Sequence, residues 1–273
     1  TLGEAKKMGI KVLPPDINES KSKFTVIDKN TIRFGLAAIK NVGHNVIEKI
    51  AGERKKEGSY ASIENFIERV PAEVLNKKSI ESLIKAGAFD KIGERGKLLY
   101  NLERLLDFAR ESQQKKINGD GSLFSTLTKD PSSFFANRLK LDNPAKPMTE
   151  DEKIIWEKEL LGVFVSSHPL ENFKGKIKNT FSIADIDLKS PAGFIKIAGV
   201  VSKIKKITTK QGKSMLFLEI EDLTGKIEVL VFPDVLEKNS LLFQENKVLE
   251  IKGRISDKDN VPKIICGKVG EVK

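Results

Sequence analysis

The sequence predicts a multidomain chain, α-helical over its first part and all-β over its last. Two observations carry this. Apolar residues recur at helical spacing through the first hundred or so positions, as in Ile80, Leu83 and Ile84. From Phe194 onward they alternate with polar ones, as in "KIEVLVF" (226–232). A third observation sets the class: 32% charged and 39% hydrophobic residues are the proportions of water-exposed globular domains.

In chain order, residues 1–30 read as a short helix bearing Ala5 and Met8, then a turn and an extended arm in "VLPPDINES". Residues 31–110 read as all-helical. Ile32, Leu36 and Ile39 share one spacing; Val46, Ile47 and Ile50 another; Ile63, Phe66 and Ile67 a third, closed by Pro71. Asn76 caps a fourth helix, which Gly87 stops, and Leu98, Leu102, Leu105 and Phe108 mark a fifth. Residues 111–150 are polar and loop-like apart from Leu123-Phe124, and residues 151–193 hold a connecting helix and linker. Residues 194–273 give five strand-like runs with a helical run, "PDVLEKNSLLFQE", between the third and fourth. That is the element order of an OB-fold barrel.

Composition narrows the function. The net charge is +10. Residues 1–108 contribute +5 and residues 194–273 +4, with a near-neutral middle. Such a balance suits a polyanion. A single Cys rules out a disulfide within the chain and points to a reducing, cytoplasmic setting. Two His and one Cys exclude a Cys/His zinc site. No apolar run is long enough to span a membrane, and no secretory leader is read, so no membrane partner is expected.

The stretch "KNVGHN" (40–45) joins two apolar segments through a Gly-containing turn. A helix starting at His44 would present unpartnered N–H groups and the positive end of its dipole to a phosphate. Val42 would anchor the turn from below, and Gly43 would admit a backbone without a Cβ in the way. This is the logic of a helix-hairpin-helix, which would hold a nucleic-acid backbone at 40–45 and read no bases. The plainer reading is a helix C-cap. Asn41 stands where such hairpins usually carry a first Gly, and Asn tolerates left-handed geometry. A second candidate, "SIESLIKAGAFDKIG" (79–93), offers Lys85 and Gly87, against the reading of an ordinary Gly-capped helix.

In the barrel, Lys203, Lys205, Lys206, Lys210 and Lys213 fall within eleven residues that contain no acid, at a usual rim for single strands. Strand parity puts Leu216, Leu218 and Ile220 inside, leaving Met215 and Phe217 outside. Phe217 and Phe232 become stacking candidates, or side chains packed under a neighbouring domain. Glu219, Glu221 and Glu228 share the outer face and would repel phosphates. "DID" (185–187) has the spacing of a carboxylate pair but no third acid, and reads as a solvated or capping stretch. His44 and His168 stand alone, and Ser-Ser-His adjacency is not a triad.

The ordered stretches "EAKKMGIKVLPPDINES", "IRFGLAAIKNVG", "LIKAGAFD", "WEKELLGVFVSSHPL" and "AGVVSKIKK…GKSMLFLEIEDLTGKIEVLVFP" resemble the C-terminal half of the C-family replicative polymerases. The resemblance implies a tandem helix-hairpin-helix on duplex DNA (31–110) after the end of the fingers region (1–30). It implies a loop (111–150) that binds a sliding clamp and an OB-fold domain (194–273) near single-stranded template, with other replisome subunits as partners. The clamp motif of the family resembles Gln-x-x-Leu-Phe. "DGSLF" falls in its place and nominates Asp120, Ser122, Leu123 and Phe124, with Asp120 instead of the Gln. Without the family, that apolar pair could equally fold back on its own helices. The family's catalytic palm and its Mg2+ lie upstream of Thr1, so the resemblance assigns this chain no catalytic residue, no cofactor and no polymerisation of its own. Two other classes remain: a ligase-type nucleic-acid enzyme, which places its OB fold before a four-Cys element and the hairpins, and an anticodon-binding OB domain.

Overall fold

The computed structural model describes residues 5, 8–117, 139–173, 175–187, 193–256 and 261–272. The chain separates into two compact units, one ending at Ser166 and one beginning at Ser167.

The first unit opens with a three-stranded sheet. Strand β1 (Lys11–Leu13) runs parallel to β3 (Thr31–Arg33), and β2 (Thr25–Asp28) pairs with β3 antiparallel. The helix expected over Ile32, Leu36 and Ile39 is therefore not formed. Ile32 lies in β3, and only a single 3-10 turn, Leu36–Ala38, follows. Gly35 separates the two. A Cβ there would lie 2.4 Å from the carbonyl carbon of Lys23, so the chain passes too close to a distant backbone to coil. The "PPDINES" arm closes on itself and on the helices. Arg54 donates to the carbonyls of Ile17 and Ser20 (2.6 and 2.8 Å), and Arg33 donates to Pro14 (3.1 Å).

Helices α1 (His44–Glu57), α2 (Ile63–Arg69) and α3 (Lys77–Lys85) follow. Ser62 and Asn76 cap α2 and α3 by accepting from Asn65 N (3.2 Å) and Ser79 N (2.9 Å). The fifth predicted helix is two, α4 (Arg95–Tyr100) and α5 (Leu102–Ile117). They break at Asn101, whose side chain donates to Asp142 O (2.8 Å) and accepts from Asp142 N (3.0 Å). Helix α6 (Glu150–Leu161) starts in a capping box, Thr149 with Glu152, and ends at Gly162 in left-handed geometry. The buried side chains of the helices form one core. Its aromatic centre stacks Tyr60 on Phe66 and Phe66 on Phe89, edge to face at 5.0 and 4.8 Å.

The second unit is a closed barrel of β4 (Phe194–Thr208), β5 (Ser214–Glu221), β6 (Lys226–Val231), β7 (Val248–Ser256) and β8 (Lys263–Glu271), ordered β4-β5-β6-β8-β7. Helix α7 (Pro233–Asn239) lies between β6 and β7. Closure leaves no strand edge for a further strand to extend. The interior holds Leu216, Leu218 and Ile220, as parity requires, with Val229 and Ile251. Met215 departs from parity: expected outside, it is buried. Ile183 and Ile186 pack on the barrel core, held by Ile183 N donating to Asp222 (2.8 Å). Asp185 and Asp187 of "DID" are exposed.

Candidate nucleic-acid interface

The turn at 40–43 is an exposed ridge on a buried pin. Lys40, Asn41, Gly43, His44 and Asn45 are exposed, and Val42 is buried in the helical core. Asn41 has a φ of 67°, so an Asn does take the left-handed place. Three bonds from distant segments fix the turn. Lys40 N donates to Leu160 O (3.0 Å) from α6, Ser79 Oγ of α3 donates to Asn41 O (3.0 Å), and Asn41 Nδ2 donates to Ser82 Oγ (3.2 Å). Ser79 and Ser82 were not singled out in the sequence. Their signal was present: two hydroxyls three apart on the apolar face of α3, both buried.

Gly43 supplies the extended N-cap of α1 and has no side chain to bond the first N–H groups. No acid stands in that first turn. An anion could therefore meet both the amides and the helix dipole. His44 is exposed and lies 3.4 Å from Glu48, one turn along.

The second hairpin candidate is arranged differently. Gly87 has a φ of 83° and caps α3, and it is buried. A Cβ there would lie 2.2 Å from Nη2 of Arg95. That guanidinium forks onto Asp90 (2.8 and 2.7 Å), donates to Lys85 O (3.2 Å) and reaches Glu157 (3.1 Å), which is fully buried. Glu157 also accepts from Ser166 N (2.9 Å) and Ser166 Oγ (2.9 Å). Lys85 is bonded to Glu81 (2.5 Å), with its ammonium 5.3 Å from the Trp156 ring. Gly87 is thus not open to a phosphate, and the expectation for it is corrected on that ground; Lys85 is half-buried and already paired.

On the barrel, all five lysines of the 203–213 stretch are exposed. A bulge between Val201 and Lys203 resets the register, putting Lys203 opposite Glu219 and Lys205 opposite Phe217. Lys206, one residue on, points to the other face. Lys210 and Lys213 lie in the β4–β5 loop, pinned by Thr209 N donating to Lys213 O (2.8 Å). The outer acids are paired. Lys226 reaches Glu219 (2.8 Å) and Glu221 (3.4 Å), and Lys263 reaches Glu228 (3.0 Å). Burial alone would depress the Lys226 ammonium, but the bond to Glu219 and the charge of Glu221 outweigh it and its pKa is raised. The expected repulsion of phosphates on this face is therefore largely neutralised. Phe217 is half-buried, while Phe232 is exposed beyond the end of β6, at the N-cap of α7. Residues Asp120, Ser122, Leu123 and Phe124 lie outside the described residues. Among the described residues no group of three or more His, Cys, Asp or Glu could hold a metal, and no helix is long and apolar enough to cross a membrane.

Residues 9–98 match the helix-hairpin-helix motif, and residues 195–272 match an OB-fold nucleic acid binding domain. The DNA polymerase III subunit alpha of Borreliella burgdorferi is 36% identical over 99% of this chain and 24% of that protein. That of Aquifex aeolicus is 33% identical over 93% of this chain and 20% of that protein. Among solved structures, a domain of replication protein A from Methanococcus maripaludis overlays 34% of this chain and 96% of its own at 16% identity, with a TM-score of 0.29, a level that carries no argument. The chain spans about a quarter of the length of the curated relatives it matches. With both of its parts matched in order and nearly all of its length aligned, the chain is similar from end to end to about a quarter of the DNA polymerase III alpha subunits.

Proposed function

We propose that this chain is the DNA-gripping part of a DNA-directed DNA polymerase, active within a longer protein. Its helical unit holds duplex by the phosphate backbone, and its barrel holds single-stranded template on the lysine rim. The observation that carries the reading is the uncapped start of α1, exposed beside Lys40 and anchored by Val42, Ser79 and Ser82. Nucleotidyl transfer and its Mg2+ belong to other parts of the proposed whole protein. The loop residues Asp120, Ser122, Leu123 and Phe124 dock in a groove of a ring-shaped clamp, as the resemblance of "DGSLF" to a clamp-binding peptide supports.

The test of the duplex site is Gly43→Val. The backbone at Gly43 is extended, with a φ of −73°, and a Cβ would meet only the side-chain oxygen of Asn45 at 2.8 Å. The variant should fold. A hydrogen bond to a charged group is worth roughly 1.5–3 kcal/mol, so losing one lowers duplex affinity by about tenfold or more. The loss should be equal for all sequences. A folded Gly43→Val protein with normal duplex affinity ends the reading. The test of the loop is Leu123→Ala with Phe124→Ala, which should abolish clamp binding and leave duplex binding intact. Normal clamp binding by that variant would place the contact elsewhere.

A further inference from the structure

The barrel carries a second basic surface away from the lysine rim. Its members come from the first half of β4 and from β7 and β8. Phe194 faces Arg254 across β4–β7, and Lys196 faces Lys252 in the same ladder. Lys252 in turn faces Lys268 across β7–β8. The neighbours of these residues along the strands, Ile195, Ile197, Ile251 and Gly253, are buried, so this set lies on the outer face.

Lys252, Arg254 and Lys268 are exposed, and among the described residues none has a carboxylate within ion-pair distance. Lys196 is neutralised by Glu250 at 2.7 Å. Like charges set opposite each other on adjacent strands destabilise a sheet. A bound phosphate between Lys252 and Lys268 would offset that repulsion.

Phe194 gives the surface its second chemistry. The ring is 65% exposed, yet it is seated. It lies over Gly267, where a Cβ would be only 3.1 Å from its Cε1, and the Lys252 ammonium is 6.0 Å from its centroid. Phe181, also exposed, is tied to the same strand by its N–H donating to Lys196 O (2.7 Å). Aromatic faces open to solvent among unpaired cations are the features that hold unstacked bases and track their phosphates. Duplex DNA has no free base face to offer a seated ring. From Lys196 to Lys205 the strand rises about 3.3 Å per residue, or about 30 Å before curvature, so the rim is a different place.

We propose that the outer face of β4, β7 and β8, centred on Phe194, Lys252, Arg254 and Lys268, is a second surface for single-stranded nucleic acid. The proposal rests on the reading of the barrel as a single-strand binder, and extends the strand's track beyond the rim. The probe is oligo-dT of about 30 nucleotides, longer than the roughly 4–16 that one OB fold covers, bound to the whole chain.

The variant Lys252→Ser/Arg254→Ser/Lys268→Ser changes exposed positions only. It should lower affinity for the long oligonucleotide by about tenfold. It should also reduce the log–log salt slope by about 2, at roughly 0.7 per phosphate released. Light-induced cross-linking of an iodouracil-containing oligonucleotide should map to Phe194. An unchanged affinity and slope in the triple variant, with no cross-link at Phe194, overturns the proposal and leaves the rim untouched. Changing Lys203, Lys205, Lys206, Lys210 and Lys213 to Ser is the separate arm. If that variant keeps full affinity while the triple variant loses it, the rim reading fails and this face is the site. If an acidic polypeptide binds the face and the oligonucleotide does not, the surface is a protein-docking site and the proposal falls.

Discussion

Two side chains place charge-forming groups where water does not reach. The Tyr60 hydroxyl donates to Ile50 O (2.7 Å), and burial pushes its pKa up to about 12, against the pull of Arg69 and Arg54. The Cys266 thiol faces the barrel core, and burial pushes it up to about 11. Both groups hold their protons more tightly when folded than when unfolded. Their contribution is therefore complete below the unfolded values, near 9 for the thiol and 10 for the phenol, and is lost as pH rises through the folded ones. Stability of the helical unit should fall between about pH 10 and 12, and Tyr60→Phe should flatten that fall in denaturant titrations. An equally steep fall in Tyr60→Phe would assign it to other groups. Cys266 should react with a thiol reagent at pH 8 only after unfolding, since the thiolate is the nucleophile and the native thiol is both buried and protonated.

Among the elements, the cap of α3 is the most exacting. Gly87→Ala would put a Cβ at a positive φ and 2.2 Å from Arg95. The helical unit should lose more than about 1 kcal/mol, read as a lowered unfolding midpoint, with the barrel's spectrum unchanged. An unchanged midpoint would mean Arg95 can move aside without loss. The same cap shows what was legible in the sequence. The Asn76 cap, Val42 as an anchor and the alternation of β6, and of β5 apart from Met215, were readable, because their cause lies within a few residues. Gly87 was readable as a helix stop but not as a covered one. The covering group is Arg95, held in turn by Glu157, 62 residues further along. Ile32, Leu36 and Ile39 mimicked a helix because strand pairing with β1 and β2 and the close pass of Lys23 cannot be seen in their spacing. Of the candidate site, the lysine rim was visible as a run without acids. The neutralising reach of Lys226 and Lys263 was not, since Lys263 comes from a strand 35 positions beyond Glu228.

At the scale of the molecule, the two units should divide the nucleic acid between them. Gly43→Val should weaken duplex binding and leave single-strand binding intact, and the five-lysine rim variant should do the reverse. Salt titrations should separate the two, with slopes of roughly 0.9 per duplex phosphate and 0.7 per single-strand phosphate. If either variant lowers both affinities equally, the division is wrong. Among the described residues the barrel core draws on positions between 183 and 269, so residues 167–273 should unfold cooperatively when expressed by themselves, as a circular-dichroism melt would record. The buried Arg95–Glu157 pair has a longer reach, into the history of related sequences. Losing Arg95 would leave the buried Glu157 carboxylate without its counter-charge, at a cost of roughly 3–5 kcal/mol. Losing Glu157 instead leaves Arg95 forked onto Asp90. A lineage should therefore have given up the acid before the base, and across related sequences an acid at 157 facing an apolar residue at 95 should be the rarest combination.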